Sequence, residues 1–319
     1  MKKYLLKRII LMMLTFFIIF FLLFVLIRLQ AKPEVIYGPD KELEAARLEA
    51  LGYNKDIFYQ FFTYIRHCIK GDFGVSLKID YMRPVSSLMA EKFVPSILIN
   101  LYSVIISIPT GFILGIYSAT HKSKWQDMIL GLVIMLLISI PSLVLGFVLQ
   151  YFIGYKGGLP IVVSSLYDAG SFFSLKMLKS QILPVLTLSL PSIAFLTRNV
   201  RAEMVEELQS PHLLFARSLG ISRSKQIYGY ALKSAMVPLL PQLISMVIGI
   251  FSGSFIVEQV FAVPGVGKLM VQAIQKLDYD VFVACSMFYA FITLVSGIVT
   301  DLSYHLFDPR IRMGGKKYE

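Results

Sequence analysis

Few side chains in this sequence have a type and spacing that could do chemistry. The four histidines, His67, His121, His212 and His305, stand far apart and share no ligand spacing, so they read as surface or interfacial residues rather than a metal set. Cys68 and Cys285 are equally separated and imply neither a disulfide framework nor a zinc site. The nearest approach to a phosphate-binding loop is PGVGKL at Pro264–Leu269. It lacks the upstream glycine, and Leu269 stands where a Ser or Thr would hold magnesium. No nucleophile is spaced to pair with a base, and we assign no catalytic residue and no metal site. What remains are uncharged polar side chains within apolar runs: Asn100, Gln150, Gln242, Ser245 and Ser252. These could line a path for a neutral polar solute, or simply bond helix to helix.

The elements that carry these residues are defined by where charge is missing. The chain of 319 residues is 56% hydrophobic and 16% charged, against about 25% charged in an ordinary soluble domain. Uncharged runs occupy Ile9–Ile27, Phe93–Thr120, Met128–Tyr155, Ser180–Thr197, Ser234–Val257 and Val281–Thr300. Each is close to the ~20 residues a helix needs to cross hydrocarbon. None alternates apolar with polar as barrel strands do, so the reading is an all-α integral membrane protein with six transmembrane helices. The first run is too long for a signal peptide and lacks a small-residue cleavage site after it, which makes it an uncleaved span.

Within the spans, Pro109, Pro141, Pro184, Pro191, Pro238 and Pro241 predict bends. Gly111 with Gly115, and Gly249 with Gly253, form small-xxx-small pairs that let helices approach closely. No Asp, Glu, Lys or Arg lies in the middle of a run, and Glu258 and Asp301 are expected at span ends where water reaches. That argues against an ion-coupled carrier, which needs ionisable groups at depth.

Orientation follows from Lys and Arg. Four lie before the first span, two in the 121–126 turn, six between Arg198 and Lys233, and four after Asp308, all on one side if the spans number six. The opposite short segments hold three at 156–180 and two at 259–280. Both termini are therefore expected in the cytoplasm. The net charge of +11 is accounted for by this asymmetry and by anionic membrane lipids, without nucleic acid as a partner. The segment after the first span reads as helical: KELEAARLEALG stops at Gly52, and a second helix places Ile57, Phe61, Tyr64, Ile65 and Cys68 on one stripe before Gly71. The outer segment is thus expected to be a small helical subdomain, packed on the membrane face or against a partner.

One basic segment interrupts the later spans, FARSLGISRSKQIYGYALKSAMVP at Phe215–Pro238. Upstream, Ser210 is placed as an N-cap with Pro211 in the first turn, and Gly220 is a C-terminal stop, which predicts a helix over 211–219. A helix of that length does not stand alone in water. It is either an interfacial helix on anionic lipid or a knob inserted into a cytoplasmic protein, with Ala216 and Gly220 permitting close approach.

The run Phe215-Ala216-Arg217-Ser218-Leu219-Gly220, with Pro238 downstream, resembles the permease subunits of ATP-binding-cassette importers, in the oligopeptide/dipeptide branch. SIPSLVLGF (139–147), GGLP (157–160), LPVLTLSLPSIAFLTR (183–198), VEQVFAVPGVGKL (257–269), DPRIR (308–312), GDFGVSL (71–77) and RPV (83–85) fit the same branch in the same order. The resemblance implies a type I ABC-importer permease fold with a small extracytoplasmic helical segment. The expected division is 1–29 for the tail and first span, 30–92 for the outer segment, 93–306 for a five-helix permease core, and 307–319 for a cytoplasmic tail. It makes the loop at about 203–225 a coupling helix that docks in a cytoplasmic ATPase. Phe215, Arg217 and Leu219 would be its contact side chains, and Ala216 and Gly220 would allow the close fit. Pro211-His212 and Leu219 depart from the usual residues, which leaves the individual contacts open. Implied partners are a homologous second permease subunit forming a heterodimer, two ATPase subunits that use ATP and magnesium, and an extracytoplasmic substrate-binding protein. No cofactor is bound by this chain itself, and it is not an enzyme. The implied location is a bacterial or archaeal inner membrane. Oligopeptides or dipeptides are the implied substrate, with nickel or a metal chelate as the alternative. An ion-coupled carrier and a non-transporting scaffold are rival classes.

Overall fold

The computed structural model describes residues 2–30, 49 and 55–307. The helix expected before Gly52 and the DPRIR tail lie outside the described residues. In chain order the elements are α1 (Lys2–Gln30), α2 (Ile57–Ile69), β1 (Val75–Ser76), β2 (Arg83–Pro84), α3 (Val85–Thr120), α4 (Trp125–Ser139) and α5 (Ser142–Leu149). A π-helical turn (Gln150–Tyr155), α6 (Leu166–Ala169), α7 (Leu175–Leu208), α8 (Pro211–Ser218) and a second π-helical turn (Lys225–Ala231) follow. The chain then runs through α9 (Leu232–Ile248), a 3-10 turn (Gly249–Ser252), α10 (Phe255–Val260), α11 (Val266–Lys276) and α12 (Tyr279–Phe307).

Five stretches are single helical segments long and apolar enough to cross a bilayer: Leu6–Leu29, Val85–Thr120, Leu175–Leu208, Lys225–Val260 and Tyr279–Ser303. A sixth is made of two pieces, Trp125–Ser139 and Ser142–Tyr155, meeting at 106°. Each of the six uncharged runs falls within one of these. The break has a local cause. A residue before proline is driven out of the helical region, and Ile140 has ψ 122 ahead of Pro141. Pro109, Pro184, Pro191, Pro238 and Pro241 stand inside helices that continue past them.

The chain divides into two compact units. One comprises residues up to Val94 together with Gly265–Val295. In it, the expected stripe on α2 is buried against α1. The Phe61 ring is fully enclosed, with the rings of Phe17, Phe20, Phe21 and Phe24 at 5.3, 5.0, 5.0 and 5.4 Å. Tyr64 joins that cluster, with Ile57, Ile65 and Cys68 at its margin. α11 is amphipathic and buries Val266, Leu269 and Ala273 against Val85, Leu88, Val281 and Cys285. Val75 and Ser76 pair antiparallel with Pro84 and Arg83. The loop between these strands is fastened to Asp278, whose carboxylate accepts from Ser76 Oγ at 2.6 Å and from the amides of Lys78 and Ile79 at 2.9 and 3.0 Å.

The other unit runs from Pro95 to Pro264 and resumes at Ser296. It is organised around α7, whose Leu183, Leu196, Val200 and Met204 are fully buried. Gly111 and Gly115 of α3 do bring helices together: a Cβ at Gly111 would stand 2.9 Å from Leu196 Cβ, and one at Gly115 2.6 Å from Val200 Cβ. Gly249 and Gly253 do not. Gly249 has open space around it, and Gly253 takes φ +62 to end the 3-10 turn. Glu258 lies in the last turn of its span, as expected, but water does not reach it. It is 1% exposed and accepts from Ser96 Oγ at 2.8 Å and from its own helix start at Ser254 N. Those hydrogen bonds, rather than water, satisfy its carboxylate oxygen there.

Candidate functional site

The short helix α8 is the one expected at 211–219, and its boundaries follow local rules. Pro211 occupies the first turn, where a missing N–H costs nothing, and Ser210 has extended backbone angles (φ −66, ψ 150). Ser210 does not cap with its side chain, however; its Oγ donates back to Glu207 O at 2.6 Å. The far end is a Schellman stop. Gly220 takes φ +71, its N–H reaches Arg217 O at 3.0 Å, and Ile221 N reaches Ala216 O at 3.3 Å.

What α8 leans on is its own chain. Leu213 is fully buried in a cluster with Met204 of α7, Ala231 of the π-helical turn, and Ala235 and Leu239 of α9. Ala216, one turn on, is 5% exposed. The small residue expected to admit a partner is therefore turned inward, and Gly220 serves the stop. The outward ridge is apolar: Leu214, Phe215 and Leu219 are 53%, 64% and 63% exposed. Arg217 is exposed beside it, with Nε 3.4 Å from Gln226 Oε1, while Gln226 Nε2 donates to Ile221 O at 2.6 Å. Ser218 is exposed and bonds Phe215 O. The ridge presents three apolar side chains beside a cation on a helix held in place from behind.

A second feature lies behind α8 and was not found from the sequence. Asp127, in the first turn of α4, is gripped by Arg201 of α7 as a fork, Nε to Oδ1 at 2.6 Å and the terminal nitrogen to Oδ2 at 2.7 Å. Ser118 at the end of α3 donates to the same Oδ1, and Ser123 N donates to Oδ2 at 3.1 Å. One carboxylate thus gathers the ends of three helices, and all its acceptor capacity is used. The signal in the sequence was an acid standing directly before the uncharged run that opens at Met128, in a turn read only for its basic residues.

The polar span residues are not brought into one array by the hydrogen bonds. Gln150 Nε2 donates to Ile161 O at 2.8 Å and to Val260 O at 3.0 Å, tying the π-helical turn to α10. Asn100 Nδ2 bonds Ser96 O of its own helix at 2.8 Å. Gln242 Oε1 accepts from Asn199 Nδ2 of α7 at 2.8 Å, joining α7 to α9. Ser245 and Ser252 are half-buried. Interhelical bonding is the role seen for Gln150 and Gln242. Among the described residues, no three His, Cys, Asp or Glu side chains are grouped to hold a metal ion.

Known proteins resemble the chain along nearly its whole length. Residues 111–313 match the family described as binding-protein-dependent transport system inner membrane component. The dipeptide transport system permease protein DppB of Lactococcus lactis subsp. cremoris is 32% identical over 98% of this chain and 100% of its own length. The protein of the same name from Bacillus subtilis is 30% identical over 99% of this chain and 100% of its own. The glutathione transport system permease protein GsiC of Escherichia coli is 29% identical over 98% of this chain and 99% of its own. A solved amino acid ABC transporter with bound histidines is 17% identical, covers 69% of this chain and 94% of its own, and superposes with a TM-score of 0.49.

Proposed function

The chain belongs to the family of binding-protein-dependent transport system inner membrane components, and from that premise we propose that it forms one half of an importer's path for short peptides. Its relatives named for dipeptide and glutathione transport support peptides over nickel or a metal chelate as cargo. A peptide's neutral amides suit spans without exposed charge at depth, and the absence of such charge points to ATP on a partner as the energy source.

The observation that carries this reading is the ridge Leu214, Phe215 and Leu219 on α8, exposed while Leu213 and Ala216 are buried beneath it. α8 is the coupling helix. Its ridge inserts into a groove of a cytoplasmic ATPase, with Arg217 beside it and Gly220 setting the turn that follows. Closure of two such ATPases on ATP and magnesium moves the two coupling helices and switches the path between inward- and outward-open. The second half of the path is a homologous, non-identical permease subunit, and an external binding protein delivers the peptide. Hydrolysis belongs to the ATPases, and this chain binds no cofactor. Both termini lie in the cytoplasm of a bacterial or archaeal cell, on the side where Lys and Arg concentrate.

Purification from membranes in mild detergent tests the reading. The wild-type chain brings down an ATPase subunit; Phe215→Glu with Leu219→Glu, equally abundant in the membrane, does not. An ATPase that never co-purifies, or that co-purifies equally with the variant, overturns it.

A further inference from the structure

The arrangement behind α8 has a consequence for how its movement reaches the spans. α4 packs along α7, and its buried residues are Asp127 and Ile134. Ile134 lies two turns beyond Asp127, with half-buried Leu130 and Leu137 on the same stripe, so the helix has an apolar seam with one ionic contact at its start. Beyond them α4 runs into the 106° break and α5, whose Leu145 and Leu149 enter the core around Leu183 and Phe261. α7, by contrast, is buried along its length, and its Met204 shares a cluster with Leu213 of α8. Displacement of α8 therefore reaches the end of α7 that carries Arg201 together with the π-helical turn and α9, which share the Leu213 cluster.

We infer that the Asp127–Arg201 fork is the positioning link that makes the broken span α4–α5 follow the movement of α8. An apolar seam carries no directional bond, whereas a bidentate guanidinium–carboxylate pair fixes distance and plane together. Ser118 and Ser123 N hold the carboxylate from the other side, so Asp127 cannot turn to follow Arg201 without carrying the start of α4 with it. The fork is half-wet rather than sealed, with the Arg201 side chain 35% exposed. Removing the Asp127 charge leaves a cation that can turn to water, whereas removing Arg201 strands a buried carboxylate.

This inference rests on the reading of α8 as a coupling helix, and its test reads movement separately from transport. The complete complex is reconstituted with environment-sensitive labels at His212→Cys on α8 and, separately, Met135→Cys on α4, with Cys68 and Cys285 replaced by Ser. In the otherwise wild-type complex, ATP with vanadate shifts both labels. Asp127→Asn and Arg201→Lys keep the ATPase bound and keep the α8 response. Both reduce the α4 response, and the dipeptide moved per ATP hydrolysed, about tenfold. Arg201→Lys retains the charge but not the fork, so its loss of coupling separates positioning from simple charge pairing. An α4 label that responds normally in both variants overturns the link, as does loss of the bound ATPase in both, which would mark a structural staple. Labels that follow ATP through the fork while no dipeptide moves would sink the peptide reading and leave the link standing.

Discussion

Gly115 of α3 lies so close under Val200 of α7 that a Cβ in its place would stand 2.6 Å from the Val200 Cβ and 3.0 Å from the Thr197 carbonyl oxygen. Neither neighbour is the loose end of a flexible side chain, so the helices must part to admit a methyl group. Gly115→Ala should destabilise the protein by about 1–3 kcal/mol, the usual cost of overpacking. Gly249→Ala, where nothing lies within 4 Å of the added carbon, should be neutral or stabilising by up to about 1 kcal/mol. Thermal unfolding in detergent compares the two. Equal midpoints would mean that the α3–α7 crossing relaxes freely.

Asp278 should govern the order of the loop between β1 and β2. Its carboxylate is buried and accepts from Ser76 Oγ and the Lys78 and Ile79 amides. Asp278→Ala strands those donors at about 1–3 kcal/mol for a lost buried partner. Hydrogen exchange at Lys78 and Ile79 should then quicken about tenfold or more. Asp278→Asn keeps a carbonyl oxygen for the same donors and should fall between the two. Unchanged exchange in the alanine variant would show that the strand pairing alone holds the loop.

Cys68 should be a slow thiol. Burial, as the largest cause, pushes it from its ordinary value near 9 up to about 12, with Asp72 and Asp280 adding to the rise. Maleimide reacts with the thiolate, so labelling at pH 8 should be at least about a hundredfold slower than at an exposed reference such as Ser171→Cys. The sign for stability follows. Below about pH 9 the thiol is protonated folded and unfolded, and it contributes nothing pH-dependent. Above that, the unfolded chain releases the proton and the folded chain does not, so this group subtracts stability progressively up to about pH 12. Cys68→Ser should flatten that alkaline decline, and an identical decline in wild type and variant would count against it.

The parts of this architecture that could be read from the chain are those whose causes are local. A run of some twenty residues without charge is a span wherever it packs, and Ser-Pro followed by Gly sets the ends of α8 through neighbouring backbone alone. The unread parts depend on partners far off in sequence. Asp127 and Arg201 are 74 positions apart, and Ser76 and Asp278 are 202 apart. Nothing in either neighbourhood announces the other. Glu258 was misjudged for the same reason, because the hydroxyl that makes its burial tolerable comes from Ser96. Prolines posed a subtler limit. Sequence identifies where a helix loses a backbone donor, but only the fold decides whether it continues, as at Pro184 and Pro191, or breaks, as at Pro141.

Ala216 shows why the inner and outer sides of the coupling helix must be tested separately. A small residue before a glycine fits a partner's groove and fits its own core equally well, and the structure buries it beside Leu213. Ala216→Glu would drive a carboxylate into that seam without a cation among the residues of the Leu213 cluster to meet it. An unpaired buried polar group costs several kcal/mol, roughly 2–7 on transfer scales. The expected result is loss of the chain itself: less protein in the membrane and faster proteolysis between α7 and α9. Phe215→Glu, on the exposed ridge, should leave abundance and proteolysis unchanged while releasing the ATPase. If Ala216→Glu accumulates normally and also releases the ATPase, Ala216 faces the partner and α8 sits the other way round on α7 and α9.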